Sequence, residues 1–181
     1  MSYKLIASVI FISLFSFNTQ AVECGVQVDF KSIPTIKKNV YPITDNISMV
    51  TKSYLAYSKS NNARIATNIS CQMLVGSTYA PIEKQWENII ATNFSELSKK
   101  GYKEVTLSTD PNNKFYKGNL AHNEYTITAH AKMGQQTFYV LNVFNDKKDI
   151  LYNVLVSGDI SITEHVSKEY QRVLQSIVFP E

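Results

Sequence analysis

The chain has 181 residues, with 18 lysines and arginines against 15 aspartates and glutamates, and 44% of its residues are hydrophobic. That length supports one domain with a full core. The small positive charge argues against nucleic acid or an anionic membrane as partner, because no run of Lys or Arg exceeds two neighbours. Lys37-Lys38, Lys99-Lys100 and Lys147-Lys148 are isolated doublets of the kind found on solvated loops and helix ends.

The first elements read as an export signal. Lys4 supplies a positive start, Leu5 to Phe17 is apolar except for Ser8, Ser13 and Ser16, and Asn18-Thr19-Gln20-Ala21 is polar. Thr19 and Ala21 occupy the −3 and −1 positions of a signal-peptidase site, which places the cut before Val22. The apolar run is too short for a membrane anchor: at about 1.5 Å per residue it spans roughly 20 Å, against about 30 Å of hydrocarbon. Cys24 lies too far from the cut for lipidation. Residues 1–21 are therefore expected to be a signal peptide and residues 22–181 a single periplasmic domain. The composition, rich in Lys, Asn and Ile, fits a bacterial source, where the Asn-x-Ser sequons at Asn46, Asn68 and Asn93 are chance matches.

Cys24 and Cys71 are the only cysteines. An even count in an exported chain points to one disulfide, which would pin the N-terminal segment to a central strand. No Cys or His lies at metal-ligand spacing from either.

Past the signal, Val26, Val28 and Phe30 alternate with polar residues and read as a first strand, and Pro34 and Pro42 mark an irregular stretch. Ser53 to Ser58 and Ala63 to Leu74 read as a hairpin around Ser60-Asn61-Asn62. Pro81 opens a helix in which Ile82, Trp86, Ile89, Ile90, Phe94 and Leu97 recur at helical spacing, and Gly101 stops it. A strand at 102–107, a turn at Asp110-Pro111-Asn112-Asn113, and strands at 123–131, 135–144 and 150–157 follow, joined closely enough to form an antiparallel meander. The last two strands are apolar on both faces and need cover on both. A final helix carries Ile162, Val166, Tyr170, Val173, Leu174 and Ile177 as its stripe, with Ser161-Ile162-Thr163-Glu164 in the capping-box pattern.

No chemistry stands out. His122, Glu124 and His130 share one face of a strand, but the two histidines are about 26 Å apart along it, too far for one ion; His165 on the final helix adds little. Asp110 with Glu124, and Glu164 with Glu169, resemble ordinary surface carboxylates. There is no Gly-x-Ser-x-Gly elbow and no phosphate-cradling glycine loop. No catalytic residue, metal or cofactor is expected. Tyrosine is in excess, and Tyr54, Tyr57 and Tyr79 fall in the less regular N-terminal half, where they are candidate interface residues.

The order of elements carries a resemblance. A long helix ends in Gly101-Tyr102 and feeds a strand; Lys117-Gly118 leads to Tyr125-Thr126-Ile127-Thr128-Ala129, then Phe138-Tyr139-Val140 and Tyr152-Asn153-Val154-Leu155-Val156; a last helix finishes on Val173-Leu174-Gln175-Ser176-Ile177-Val178-Phe179. Over about residues 50–179 this resembles the PsbP-like superfamily, which includes the DcrB-like envelope proteins. The resemblance implies an α+β fold, a three-layer α/β/α sandwich around a mainly antiparallel sheet, and action by protein binding without a shared catalytic motif. The lipobox of DcrB-like lipoproteins is missing. The resulting expectation is a periplasmic protein-binding inhibitor, such as an immunity protein facing a periplasm-acting toxin, with no membrane anchor after cleavage. The alternatives are a DcrB-like envelope-maintenance protein, or a small-molecule carrier using a sheet–helix crevice.

Overall fold

The structure, a computed structural model, describes residues 24–180 apart from residues 61 and 133. The expected signal peptide and its cut before Val22 lie outside the described residues. Seven strands form one sheet: β1 (Thr35–Pro42), β2 (Ser48–Ser60), β3 (Ala63–Val75), β4 (Lys103–Ser108), β5 (Ala121–Ala131), β6 (Gly134–Asn145) and β7 (Ile150–Asp159). Two α-helices accompany them, α1 (Trp86–Lys99) and α2 (Thr163–Ser176). The strand order is β1-β2-β3-β7-β6-β5-β4, and every pairing is antiparallel. The fold is of the α+β class. Among the described residues no helix is long and apolar enough to cross a membrane.

Alternation along the strands divides the core. Tyr139, Leu141 and Val143 of β6, with Tyr152, Val154 and Val156 of β7, meet Val166, Tyr170 and Val173 of α2. Their sequence neighbours Phe138 and Val140, with Tyr125, Ile127 and Ala129 of β5, meet Ile90, Phe94 and Leu97 of α1. Successive residues of a strand point to opposite faces, so the two helices cover different faces of the sheet. The cover is unequal: α2 buries Val166, Glu169, Tyr170 and Val173, whereas α1 has no fully buried residue. α1 is preceded by a 3-10 turn, Ile82–Lys84, just after Pro81. Beyond it, Gly101 takes a φ of 86°, a conformation that glycine reaches without a Cβ clash.

Three local expectations are corrected. Val26, Val28 and Phe30 do not lie in a strand of the sheet; their segment is extended and makes a single bridge, Gln27 to Val178, while the three apolar side chains pack onto the α2-side core. The alternation there reports one-sided burial without a ladder. The stretch between Pro34 and Pro42 is not irregular: it is β1, an edge strand paired to β2 from Thr35↔Leu55 to Pro42↔Ser48. Proline is tolerated on an edge because no partner needs its missing N–H. The capping box at Ser161 does not form. Asp159 accepts from the Ser161 N–H (2.8 Å) and hydroxyl (2.6 Å), capping a 3-10 turn at Ile160–Ile162 that leads into α2.

The expected disulfide is present. Cys24 is bonded to Cys71 of β3, with Cα atoms 5.7 Å apart, and both residues are fully buried. The Tyr152 hydroxyl donates to the Cys24 carbonyl (3.2 Å), fixing the stapled segment to β7 as well as β3. Burial pushes the Tyr152 phenol up to about 12.

Candidate functional site

The three candidate tyrosines do not form one patch. Tyr54 lies opposite Ile36 and Ile69 on the core face, half-buried, stacked on Phe30 with ring centroids 6.4 Å apart, and with Lys52 Nζ 5.4 Å from its ring centre. Tyr57 has the other parity and points to the opposite face, exposed, with the Arg64 guanidinium 4.7 Å from its ring centre. Tyr79 belongs to the core: it packs edge-on to Phe144 beside Ile82 and Leu151, and its N–H donates to Asp149 (3.1 Å). Burial, and then the Asp149 charge, raise its phenol pKa above the ordinary value. The half of the chain carrying these residues is more regular than its sequence suggests, since β2 and β3 form a hairpin in register from Ser48↔Val75 to Ser60↔Ala63.

What does gather in this half is the margin of the sheet. Every residue of β1 is exposed, and among the described residues β1 pairs with β2 alone. Ile36 and Val40 lie opposite Tyr54 and Val50, on the face that elsewhere forms the α2-side core, yet they are 56% and 57% exposed. The core face of the sheet runs out from under its cover here. Ile33 and Ile43 lie exposed just beyond the two ends of the strand, and Tyr41 is exposed on its other face. Charge is one-sided: β1, β2 and β3 carry Lys37, Lys38, Lys52, Lys59 and Arg64 and no Asp or Glu. Lys38 and Lys52 are cross-strand neighbours. The result, among the described residues, is a strand edge paired on one side only, with apolar side chains on its core face and lysines along β1 and β2.

The other singled-out residues have structural partners. The His122 Nδ1 is 2.9 Å from the Leu120 carbonyl oxygen, and His130 Nε2 sits 3.6 Å from an exposed Glu104 carboxylate. Among the described residues no group of three or more His, Cys, Asp and Glu could hold a metal. Asp110 caps its own turn by accepting from the Asn112 N–H (2.9 Å), and Glu164 pairs with Lys168 on the surface of α2.

Glu124 and Glu169 overturn the reading of them as surface carboxylates: they are only 4% and 3% exposed. Glu124 accepts from the Phe115 N–H (2.9 Å), the Tyr116 N–H (3.2 Å) and the Tyr170 hydroxyl (2.8 Å), so it anchors the loop before β5 to α2. Burial, and then the Glu124 carboxylate, push the Tyr170 phenol far above its ordinary range, which keeps it a donor. Glu169 takes two hydrogen bonds from Arg172 (2.7 and 3.0 Å) and an ion pair from Lys31 (2.6 Å). Burial alone would raise its carboxyl pKa, but the bonds from Arg172 and Lys31 hold it below the usual value. Arg172 also donates to the Asp29 carbonyl (2.7 Å), closing the link between α2 and the stapled segment. The i,i+3 spacing of Glu169 and Arg172 was a usable signal; the partners of Glu124 are not at any local spacing.

No protein-family model, curated protein or solved structure matches this chain.

Proposed function

We propose that the chain is an exported protein-binding module of the inhibitor kind, such as an immunity protein that neutralises a toxin in the periplasm, and that it meets its partner along the β1 margin. The proposal includes cleavage before Val22 and a PsbP-like, three-layer reading of the helix–sheet–helix arrangement. The observation that carries it is the coincidence at one edge of exposed Ile36 and Val40, a strand paired on one side only among the described residues, and five cations with no Asp or Glu within β1, β2 or β3. An exposed edge is a template for strand addition, and apolar anchors within a polar rim are the usual anatomy of a contact surface. The charge selects the partner chemistry: an acidic segment with apolar residues, presented in extended form. Lys37 and Lys38 would repel a second copy of the same edge, as edge lysines commonly do.

The test is retention of a partner by the tagged mature domain from the periplasm, with neighbouring secretion effectors co-expressed. A stoichiometric complex independent of metal or nucleotide is expected. Lys37→Glu with Lys38→Glu should weaken it, and Ile36→Ala should cost on the order of 2 kcal/mol of binding if this residue is a central anchor, both with an unchanged fold. Tyr57→Ala probes the opposite face and should matter less; Tyr79→Ala should damage the fold instead. If no partner is retained and deletion leaves cells no more sensitive to neighbouring attackers, the immunity reading fails and DcrB-like envelope maintenance replaces it.

A further inference from the structure

A second feature shares no lining residue with the β1 margin. A cavity of about 900 Å³ opens between the loop 114–120, the C-terminal end of α2 and the tail 177–180, with the β6–β7 turn at one end. Its apolar lining includes Phe115, Leu120, Leu174, Ile177 and Phe179. Its charged lining is Lys114, Lys117 and Lys147, all exposed at the rim, and no Asp or Glu among the described residues lines it. Asn145, Gln171 and Gln175 supply neutral polar groups.

Both walls are held before any ligand arrives. Glu124 fixes the loop through the Phe115 and Tyr116 N–H groups, and a Cβ on Gly118 would collide with the Tyr116 hydroxyl, so the loop folds tightly on itself. The tail is held by two backbone bonds between Gln27 and Val178 (3.0 and 2.8 Å) and by Asn145 Nδ2 donating to the Pro180 carbonyl (2.7 Å). A pre-formed concavity of several hundred cubic ångströms, apolar inside with a few polar groups placed at its mouth, has the form of a small-molecule site.

We infer that this cavity binds a single-chain amphiphilic anion, with its hydrocarbon chain along Leu120, Leu174 and Phe179 and its carboxylate or phosphate among Lys114, Lys117 and Lys147. The volume and lining exceed what a small inorganic anion would fill. Three cations, with no Asp or Glu among the described lining residues, select against neutral and cationic amphiphiles, because burying an apolar chain alone would not distinguish head groups.

The experiment compares four twelve-carbon probes on the oxidised domain by titration calorimetry below their micellar concentrations: dodecanoate, dodecyl phosphate, dodecanol and dodecyltrimethylammonium. At least one of the two anions should bind one-to-one and at least tenfold more tightly than the alcohol or the cation. A carboxylate preference points to a free fatty acid as the natural occupant, and a phosphate preference to a lysophospholipid-type head. The variant Lys114→Glu/Lys117→Glu/Lys147→Glu changes only exposed side chains and should lower anion affinity by tenfold or more. Amide chemical-shift mapping should confine the anion's effects to the loop 114–120 and the end of α2. Equal affinity for the alcohol, unchanged anion binding by the triple variant, shifts centred elsewhere, or no binding by either anion would each overturn the assignment.

Discussion

β6 and β1 belong to the same sheet and obey the same pairing rules, but they live in different environments. From Thr137 to Asn145 every residue of β6 is buried, because α1 and α2 lie on its two faces. β1 is exposed throughout, although Ile36 and Val40 are as apolar as their counterparts in β6 and share the α2-side face. Hydrogen-bond pairing thus carries a strand outward beyond the reach of its cover. In the body of the sheet an apolar residue stabilises the fold; at the margin it leaves apolar surface in water, where it is available to a partner.

The sharpest way to break this comparison is to cut the staple that ties the N-terminal segment to β3, between the β1 margin and the covered strands. A disulfide spanning 47 residues is worth about 4 kcal/mol in the chain-entropy treatment. Cys71→Ser should lower the unfolding free energy on that scale, measured by denaturant titration, and two alkylatable thiols in the native protein would contradict the bond itself. A paired truncation tests the two environments directly. Leu141→Ala, at a fully buried position, should cost about 2–5 kcal/mol, whereas Ile36→Ala should fall within about 0.5 kcal/mol. Equal costs would mean that the β1 margin is covered in solution.

The smallest effect concerns acid. The Glu169 carboxyl has its pKa held below the ordinary value in the folded chain, so its contribution is fully present above the unfolded pKa, about 4.3. It is lost as pH falls through the lower, folded value. Denaturation midpoints should therefore be flat between pH 7 and about 5 on this account and decline below, and Glu169→Gln should flatten the decline at the expense of stability near neutrality. An unchanged slope in the variant would remove Glu169 from the acid response.

The body of the fold was legible because burial on a sheet or helix leaves a period in the sequence. The meander strands and the hairpin at Asn62 follow from the sequence, as do the stripes of both helices except Ile82, Ile162 and Ile177, which lie just outside them, and Asn62 takes the positive φ of 63° that its residue type tolerates. β1 was not legible, since an exposed edge strand buries neither face and Thr35–Pro42 therefore has no apolar period to display. Val26, Val28 and Phe30 show the converse, a period of two from lying on a core without joining a ladder. Glu124 and Glu169 looked like surface groups because a carboxylate reveals nothing about burial until its donors are known, and the donors of Glu124 come from a loop and from α2. The lysine-rimmed cavity is assembled from three stretches remote in sequence, so no local pattern announces it.

The clasp between Gln27 and Val178 has a consequence for the order of events during synthesis. A chain made from its N-terminus exposes Cys24 and Val26 to Phe30 early, but several of their partners arrive last: Val178 at the bridge, Arg172 on Asp29, and Ser176 within 3.4 Å of the Asp29 N–H. Contacts between distant stretches form slowly because the intervening chain must first be brought together. Residues 24–30 thus precede in synthesis the partners that hold them, and their seat is complete only once α2 and the 177–180 tail have docked.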